Sequence, residues 1–161
     1  MDFKDGRIDG VQISDLRKFL DDRGYLTEIF RLDGLPKGLH PVMSYVSSTE
    51  PGVARGPHEH ERQTDVFAFV GPGNFRIHLW DNRPDSTTSG QRMVFFAGED
   101  RPMSVVIPPG VVHGYRNVSK TKCGWVLNFP DQLYAGWDKK EPVDEIRHED
   151  EQDDFYKDFV G

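Results

Sequence analysis

Between residues 11 and 129 the chain is a succession of short apolar or alternating runs, each cut off by glycine, proline or a charged cluster. No run lasts long enough to establish a helical period. That punctuation restricts the fold more than any other feature. A helical bundle needs long runs of period 3.6, and a βαβ fold needs them between its strands. The runs that read as strands or extended segments are 11–16, 25–30, 43–46, 53–60, 65–70, 75–80, 93–97, 103–107 and 124–129, with one more after Gly110. Residues 18–24, 32–41 and 47–52 read as loops or turns on their charge and their proline and glycine content. Gly71-Pro72-Gly73 reads as the turn of a hairpin joining 65–70 to 75–80. Pro57 within 53–60 points to an edge position or an irregularity. Many short strands with such turns indicate an all-β sandwich or barrel. Phe67, Phe69, Phe75, Trp80, Phe95 and Phe96 are the expected aromatic core, and helix is expected only at about 153–160.

A chain of 161 residues suits one domain, 1–161, with enough core to need no disulfide. Its single cysteine, Cys123, excludes an internal one. No apolar run has the form of a signal peptide or membrane span, so a soluble cytoplasmic protein is expected. The net charge of −7 argues against nucleic acid and anionic membrane as partners, since both attract Lys and Arg excess. Much of that charge lies in an acidic tail, about 144–161, which reads as a solvated surface. The rest is close enough to neutral to admit an anionic ligand.

Two segments carry the chemistry. In Gly52-Val53-Ala54-Arg55-Gly56-Pro57-His58-Glu59-His60, the histidines two apart on an extended chain leave the same face. In Pro108-Pro109-Gly110-Val111-Val112-His113-Gly114-Tyr115-Arg116-Asn117, a rigid turn aims one imidazole inward. Gly52, His58, His60 and Asp65 resemble the first motif of the cupin superfamily, with aspartate in the glutamate place. Pro108, Gly110, His113 and Asn117 resemble the second at every defined position. The resemblance implies a double-stranded β-helix, the cupin-type jelly roll, with a short C-terminal tail or helix.

Over residues 11–134 the chain is more closely similar to the dTDP-4-dehydrorhamnose 3,5-epimerase family, through Asp22-Arg23-Gly24-Tyr25 with Glu28, the Arg55 to His58 stretch, Asp81-x-Arg83, and Ile107 to Tyr115. This resemblance implies a metal-independent homodimer acting on a nucleotide-linked 4-keto sugar without cofactor. His58 is then the base that removes the proton beside the ketone. Arg55 and His113 line its pocket, and Arg23 and Glu28 contact the nucleotide, across the dimer or within one chain. The residue types suit such chemistry, since an imidazole takes a proton acidified by a ketone, and cations or donors stabilise the enolate.

The chain departs from the family pattern at four places, one of them the family's Gln-Asp-Asn stretch, which falls on Met43-Ser44-Tyr45. Asn128 stands where the family has its tyrosine acid, leaving Tyr134 or Tyr115 to replace it. Gln63 or Thr64 stands for a lysine. The distal aspartate that pairs with the base belongs to a C-terminal region this chain does not match, leaving Asp65 as a substitute partner. The expected catalytic set is therefore His58 and Tyr134, with Arg23, Glu28, Arg55, His113, Tyr115 and Asn128 for substrate. Epimerisation at one centre, or keto-isomerisation, stands beside double epimerisation, and altered or lost activity is compatible with the departures. A second reading treats His58, His60, Asp65 and His113 as three-His-one-carboxylate ligands to a divalent transition metal, giving a metal-dependent isomerase or dioxygenase. A third is a cupin that binds a sugar nucleotide without turning it over. His40, His78 and His148 are assigned no functional role, and His78 is expected to be outward-facing or structural.

Overall fold

The computed structural model describes residues 3–149 and, beyond them, Phe155, Lys157 and Phe159. The strands of the described residues are β1 (Lys4–Asp5), β2 (Gln12–Asp15), β3 (Lys18–Asp21), β4 (Gly24–Thr27), β5 (Tyr45–Thr49), β6 (Ala54–Glu59) and β7 (Asp65–Phe69). They continue with β8 (Asn74–Asp81), β9 (Gln91–Gly98), β10 (Met103–Ile107), β11 (Val111–Asn117), β12 (Gly124–Asn128) and β13 (Ile146–Arg147). One sheet has the order β1-β9-β8-β11-β6-β13, and a second has β2-β10-β7-β12-β5. All pairings are antiparallel except β1 with β9. The two sheets form the expected cupin-type jelly roll, with an apolar filling that includes Phe67, Phe69, Phe75, Ile77, Leu79, Val105 and Val126. Fully burying a side chain of this kind contributes about 1.5–3 kcal/mol, so this filling holds the sheets together.

Several local expectations change. Residues 65–70 and 75–80 are not a hairpin: β7 pairs with β10 and β12, whereas β8 pairs with β9 and β11. Gly71-Pro72-Gly73 carries the chain from one sheet to the other. A side chain at Gly73, whose φ is 83°, would come within 2.7 Å of the Gly124 backbone, so the crossing demands glycine there. Residues 18–21 are a strand, not a loop, because they pair with β4 in a separate two-stranded hairpin. Ser47 to Thr49 likewise continue β5, since pairing with β12 overrides their turn-like composition. Pro57 lies on an interior strand, and its irregularity takes the form of a register shift in β6–β11. Phe96 is exposed and Phe95 is only partly buried, so the outer flank of β9 is not core.

The outer face of the six-stranded sheet is also covered. Trp80 and Val112 pack with Phe155 and Phe159, two helical residues of the C-terminal segment. His78 is buried there against the rings of Trp80 and Phe159. His148 is buried too, with Nε2 2.8 Å from Glu59 Oε1. The tail therefore does not begin as a solvated surface. The other residues expected in a helix at 153–160 lie outside the described residues. Among the described residues, no helix is long and apolar enough to cross a membrane.

Candidate active site

The site grows out of one cross-strand pair. His58 on β6 lies opposite His113 on β11, and their rings sit 4.4 Å apart, centre to centre. The Pro108-Pro109-Gly110 turn secures this pairing, because the Gly110 N–H donates to the carbonyl of His60 at 2.8 Å. His113 Nδ1 donates to the Val111 carbonyl at 3.0 Å, which fixes its ring. Asp81 and Arg83 close the far end of β8 with a paired guanidinium and carboxylate, a structural clamp outside the cavity. Asn117, the last residue of the second motif, is also structural: its amide donates to the Thr49 and Lys122 carbonyls.

Asp65, at the start of β7 and only 1% exposed, is the hub beneath the imidazoles. Its Oδ2 lies 3.2 Å from His60 Nε2 and 3.3 Å from His113 Nε2. Its Oδ1 accepts from Gln63 at 2.9 Å and from Asn128 at 2.8 Å. Burial alone would raise its pKa, but the His113 and His60 hydrogen bonds and charges hold it far below the usual carboxylate range. Burial opposes charge on His60 as well. Asp65 and the neighbouring Asp144 outweigh that and push His60 up to about 9. His58 goes the other way: burial, reinforced by His113 and His60, holds it well below 6.5. One imidazole of the cluster is thus kept neutral while its neighbour two residues on is kept charged.

A cavity of about 920 Å³ opens over this cluster, at the upper end of the roughly 300–1,000 Å³ usual for small-molecule sites. Tyr45 and Ser47 line it from β5, Arg55 and His58 from β6, and Tyr115 from β11. Tyr134 lines it from the 130–145 segment and is 54% exposed. The Arg55 guanidinium is held at the rim by Thr49 Oγ1 at 3.0 Å and the Ser48 carbonyl at 2.7 Å. Tyr115 is buried, with its hydroxyl 2.9 Å from Ser47 Oγ.

Four residues expected to meet substrate, Arg23, Glu28, His113 and Asn128, lie elsewhere than the cavity wall; His113 is 2% exposed, with its ring nitrogens facing the Val111 carbonyl and Asp65. Asn128, expected to touch substrate, is 1% exposed and sits behind the wall, bridging Asp65 and Tyr45. Arg23 and Glu28 are exposed on or beside the β3–β4 hairpin and do not line the cavity of their own chain. Conversely, the C-terminal region supplies residues that sequence reasoning missed. Asp144 accepts from the backbone N–H groups of Glu61, Arg62 and Gln63 at 2.9, 2.9 and 3.0 Å, and its carbonyl accepts from His60 Nδ1. Glu145 follows with Oε1 4.0 Å from His58 Nε2. Their only sequence signal is an acidic run, which reads as surface. Tyr45 was missed as well, although Met43, Tyr45 and Ser47 alternate as one face of a strand does.

His58, His60 and His113 have ligand atoms within 4.8 Å of one another, as a metal would require. Their hydrogen bonding does not fit one. His60 donates through Nδ1 to the Asp144 carbonyl and faces Asp65 Oδ2 with Nε2 at 3.2 Å, so both its nitrogens are turned to protein oxygens and neither offers a free lone pair to a cation. The imidazoles are gathered around one buried carboxylate, with Asp65 Oδ2 3.2 Å from His60 Nε2 and 3.3 Å from His113 Nε2, an arrangement for holding and moving protons.

A jelly roll with a neutral imidazole facing an open cavity, above an ionised carboxylate, belongs to the class of cupin-type proton-transfer enzymes. A family model described as dTDP-4-dehydrorhamnose 3,5-epimerase matches residues 5–139. The chain is 41% identical over 141 residues to the spore coat polysaccharide biosynthesis protein SpsL of Bacillus subtilis (strain 168), covering 81% of this chain and 91% of that protein. It is 36% identical over 139 residues to the probable low-salt glycan biosynthesis epimerase Agl13 of Haloferax volcanii, covering 86% of each. Among solved structures, it is similar to a dTDP-4-dehydrorhamnose 3,5-epimerase from Bacillus anthracis str. Ames with TDP and PPi bound. There the TM-score is 0.68 at 27% identity, over 78% of this chain and 74% of the other. The chain belongs to the dTDP-4-dehydrorhamnose 3,5-epimerase family and is a nucleotide-sugar epimerase of that kind. The family acts without metal or other cofactor, in agreement with the leading expectation.

Proposed function

We propose that the chain epimerises a dTDP-linked 4-keto-6-deoxyhexose, with His58 as the base that removes the proton next to the ketone. The observation that carries this reading is His58 itself: an imidazole held well below its ordinary pKa, facing the cavity, with a carboxylate placed to receive it when it protonates. The charged His60 lies beside it on the cavity wall, where positive charge stabilises an enolate. Arg55 at the rim is proposed to bind the diphosphate, with Tyr115 and Tyr134 against the sugar or base. Glu145 is proposed as the orienting carboxylate in place of the distal aspartate.

The active unit is proposed to be a homodimer. The β3–β4 hairpin pairs with neither main sheet and exposes Phe19, Leu20, Tyr25 and Leu26, an apolar surface suited to a second copy. Docked there, it would carry Arg23 and Glu28 towards the partner's nucleotide. The chain is read as one working unit, because the segment after Asp144 packs on the sheet that carries the site. The cytoplasm is the compartment proposed for it, and the lone thiol of Cys123 calls for no oxidising environment.

The test is solvent exchange. In deuterated water the protein should place deuterium at C3, C5 or both of a dTDP-4-keto-6-deoxyhexose, and His58→Asn should lower the rate by about 10²–10⁴-fold. No exchange with any 4-keto sugar nucleotide would sink the proposal. Sedimentation at micromolar concentration checks the dimer, and a monomer mass there refutes it.

A further inference from the structure

Inversion at a carbon needs a second group. The base removes the proton from one face, and a different acid must return one from the opposite face, with its O–H or N–H aimed into the same space. Among the described residues, three phenols line the cavity: Tyr45, Tyr115 and Tyr134. Resting on the epimerase reading above, we infer that Tyr45 on β5 is the acid, a catalytic residue whose hydroxyl is turned towards the sugar by Asn128.

The assignment starts from Asn128. Its Nδ2 lies 2.8 Å from Tyr45 Oη and 2.8 Å from Asp65 Oδ1. An ionised carboxylate only accepts, so the amide must present its NH₂ end to Asp65 and cannot be turned over. Both amide hydrogens are then committed, one to Asp65 and one to Tyr45. The tyrosine oxygen is therefore an acceptor at this contact, and its own hydrogen has to point away from Asn128. The side chain lines the cavity, so that direction is the substrate's. The same amide hydrogen that forces this orientation remains to stabilise the phenolate once the proton has gone.

Position agrees with hydrogen bonding. His58 is on the six-stranded sheet and Tyr45 on the five-stranded one, so the two approach the cavity from facing walls. Tyr115 shares the sheet of His58, and its ring packs edge-on against Phe67, Phe69 and Phe75. Tyr134 sits at the exposed rim, where among the described residues its one hydrogen bond runs from its backbone N–H to Met43 Sδ. Burial pushes the Tyr45 phenol up to about 12, against the opposing effect of Asn128 and with support from the negative charge of Asp65. It is consequently loaded with its proton throughout the neutral range.

The step balances. His58 takes the proton, the C–H electron pair passes into the enolate, and the enolate carbon then takes the Tyr45 proton as a new C–H bond forms. Imidazolium and phenolate remain, and exchange with water resets both. A ketone enolate is more basic at carbon than a phenolate, so delivery runs downhill.

The experiment compares Tyr45→Phe, Tyr115→Phe and Tyr134→Phe in deuterated water with a dTDP-4-keto-6-deoxyhexose, following deuterium content and configuration separately. Binding of dTDP checks that each variant is folded. Tyr45→Phe is expected to form inverted product about 10²–10⁴-fold more slowly. His58 still exchanges the substrate proton, so deuterium enters recovered sugar with its configuration retained. Tyr115→Phe and Tyr134→Phe, which meet the substrate without donating to carbon, are expected to slow exchange and inversion together, so that the ratio of inversion to exchange stays that of the unmodified protein. Inversion by Tyr45→Phe at the unmodified rate, or a fall of that ratio in one of the other variants alone, overturns the assignment and leaves the epimerase reading standing. Lack of any exchange by the unmodified protein overturns both.

Discussion

The Glu145 carboxylate stands 4.0 Å from Nε2 of His58, too far to hydrogen-bond a neutral ring and near enough to pair with a charged one. It therefore acts mainly after proton uptake. Replacing it by glutamine should lower kcat by about tenfold, equivalent to 1.4 kcal/mol of lost interaction with the imidazolium, and leave KM near its original value. The pH profile supplies a second readout. The acid limb of kcat/KM should lie below 6.5, because His58 is depressed by burial and by its imidazole neighbours. In Glu145→Gln it should move lower still, since removing an anion disfavours the protonated ring. An unmoved limb would separate Glu145 from the base.

The His60–Asp65 pair makes stability depend on pH in the alkaline direction. His60 titrates at 6.5 without its partners and at about 9 with them. Its contribution is thus complete below 6.5 and is lost as pH rises through 9. Urea unfolding should show stability falling across that window. Asp65→Asn should flatten the fall and lower stability at neutral pH by about 3–5 kcal/mol, the usual cost of leaving one member of a buried pair alone.

Asp144→Ala should loosen the segment that follows β6. It removes a charged acceptor from the N–H groups of Glu61, Arg62 and Gln63, at a cost of about 1.5–3 kcal/mol. Amide exchange at 61–63 should accelerate and activity should fall, because Glu145 is displaced with its neighbour. Unaltered exchange at those three amides would count decisively against this anchoring role.

Gly56→Ala should damage the site through the backbone. Gly56 has a φ of 79°, and a side chain there would meet the His113 carbonyl oxygen at 2.6 Å. The left-handed conformation alone costs about 1–2 kcal/mol for a residue with a Cβ. The clash also separates β6 from β11, which carry His58 and His113. The expected result is a lower melting temperature with a loss of kcat larger than that of substrate binding, measured by thermal unfolding and steady-state kinetics.

The jelly roll was legible because its signals are local: glycine and proline end each strand, and two histidine motifs need only spacing to be recognised. The convergence of His58, His60, His113 and Asp65 follows from those motifs. What was not legible depends on pairing across long stretches of chain. Gly71-Pro72-Gly73 announces a turn but not that the chain changes sheets there. Ser47 to Thr49 look like a turn until β12 is laid beside them. Tyr45 and Asn128 are 83 residues apart, and neither hints at the other. Asp144 and Glu145 are hidden by composition, since an acidic run is ordinarily solvated and here its first members reach into the cavity.

Two-residue β13 pairs Arg147 with His58 and Ile146 with Glu59. Without it, β6 would be the last strand of its sheet, and sheet edges are where local opening starts. This short addition transfers that exposed margin one strand outward. The amides around His58 should consequently exchange with solvent on the slow timescale of the core, and its imidazole stays aimed through fluctuations that open the rim.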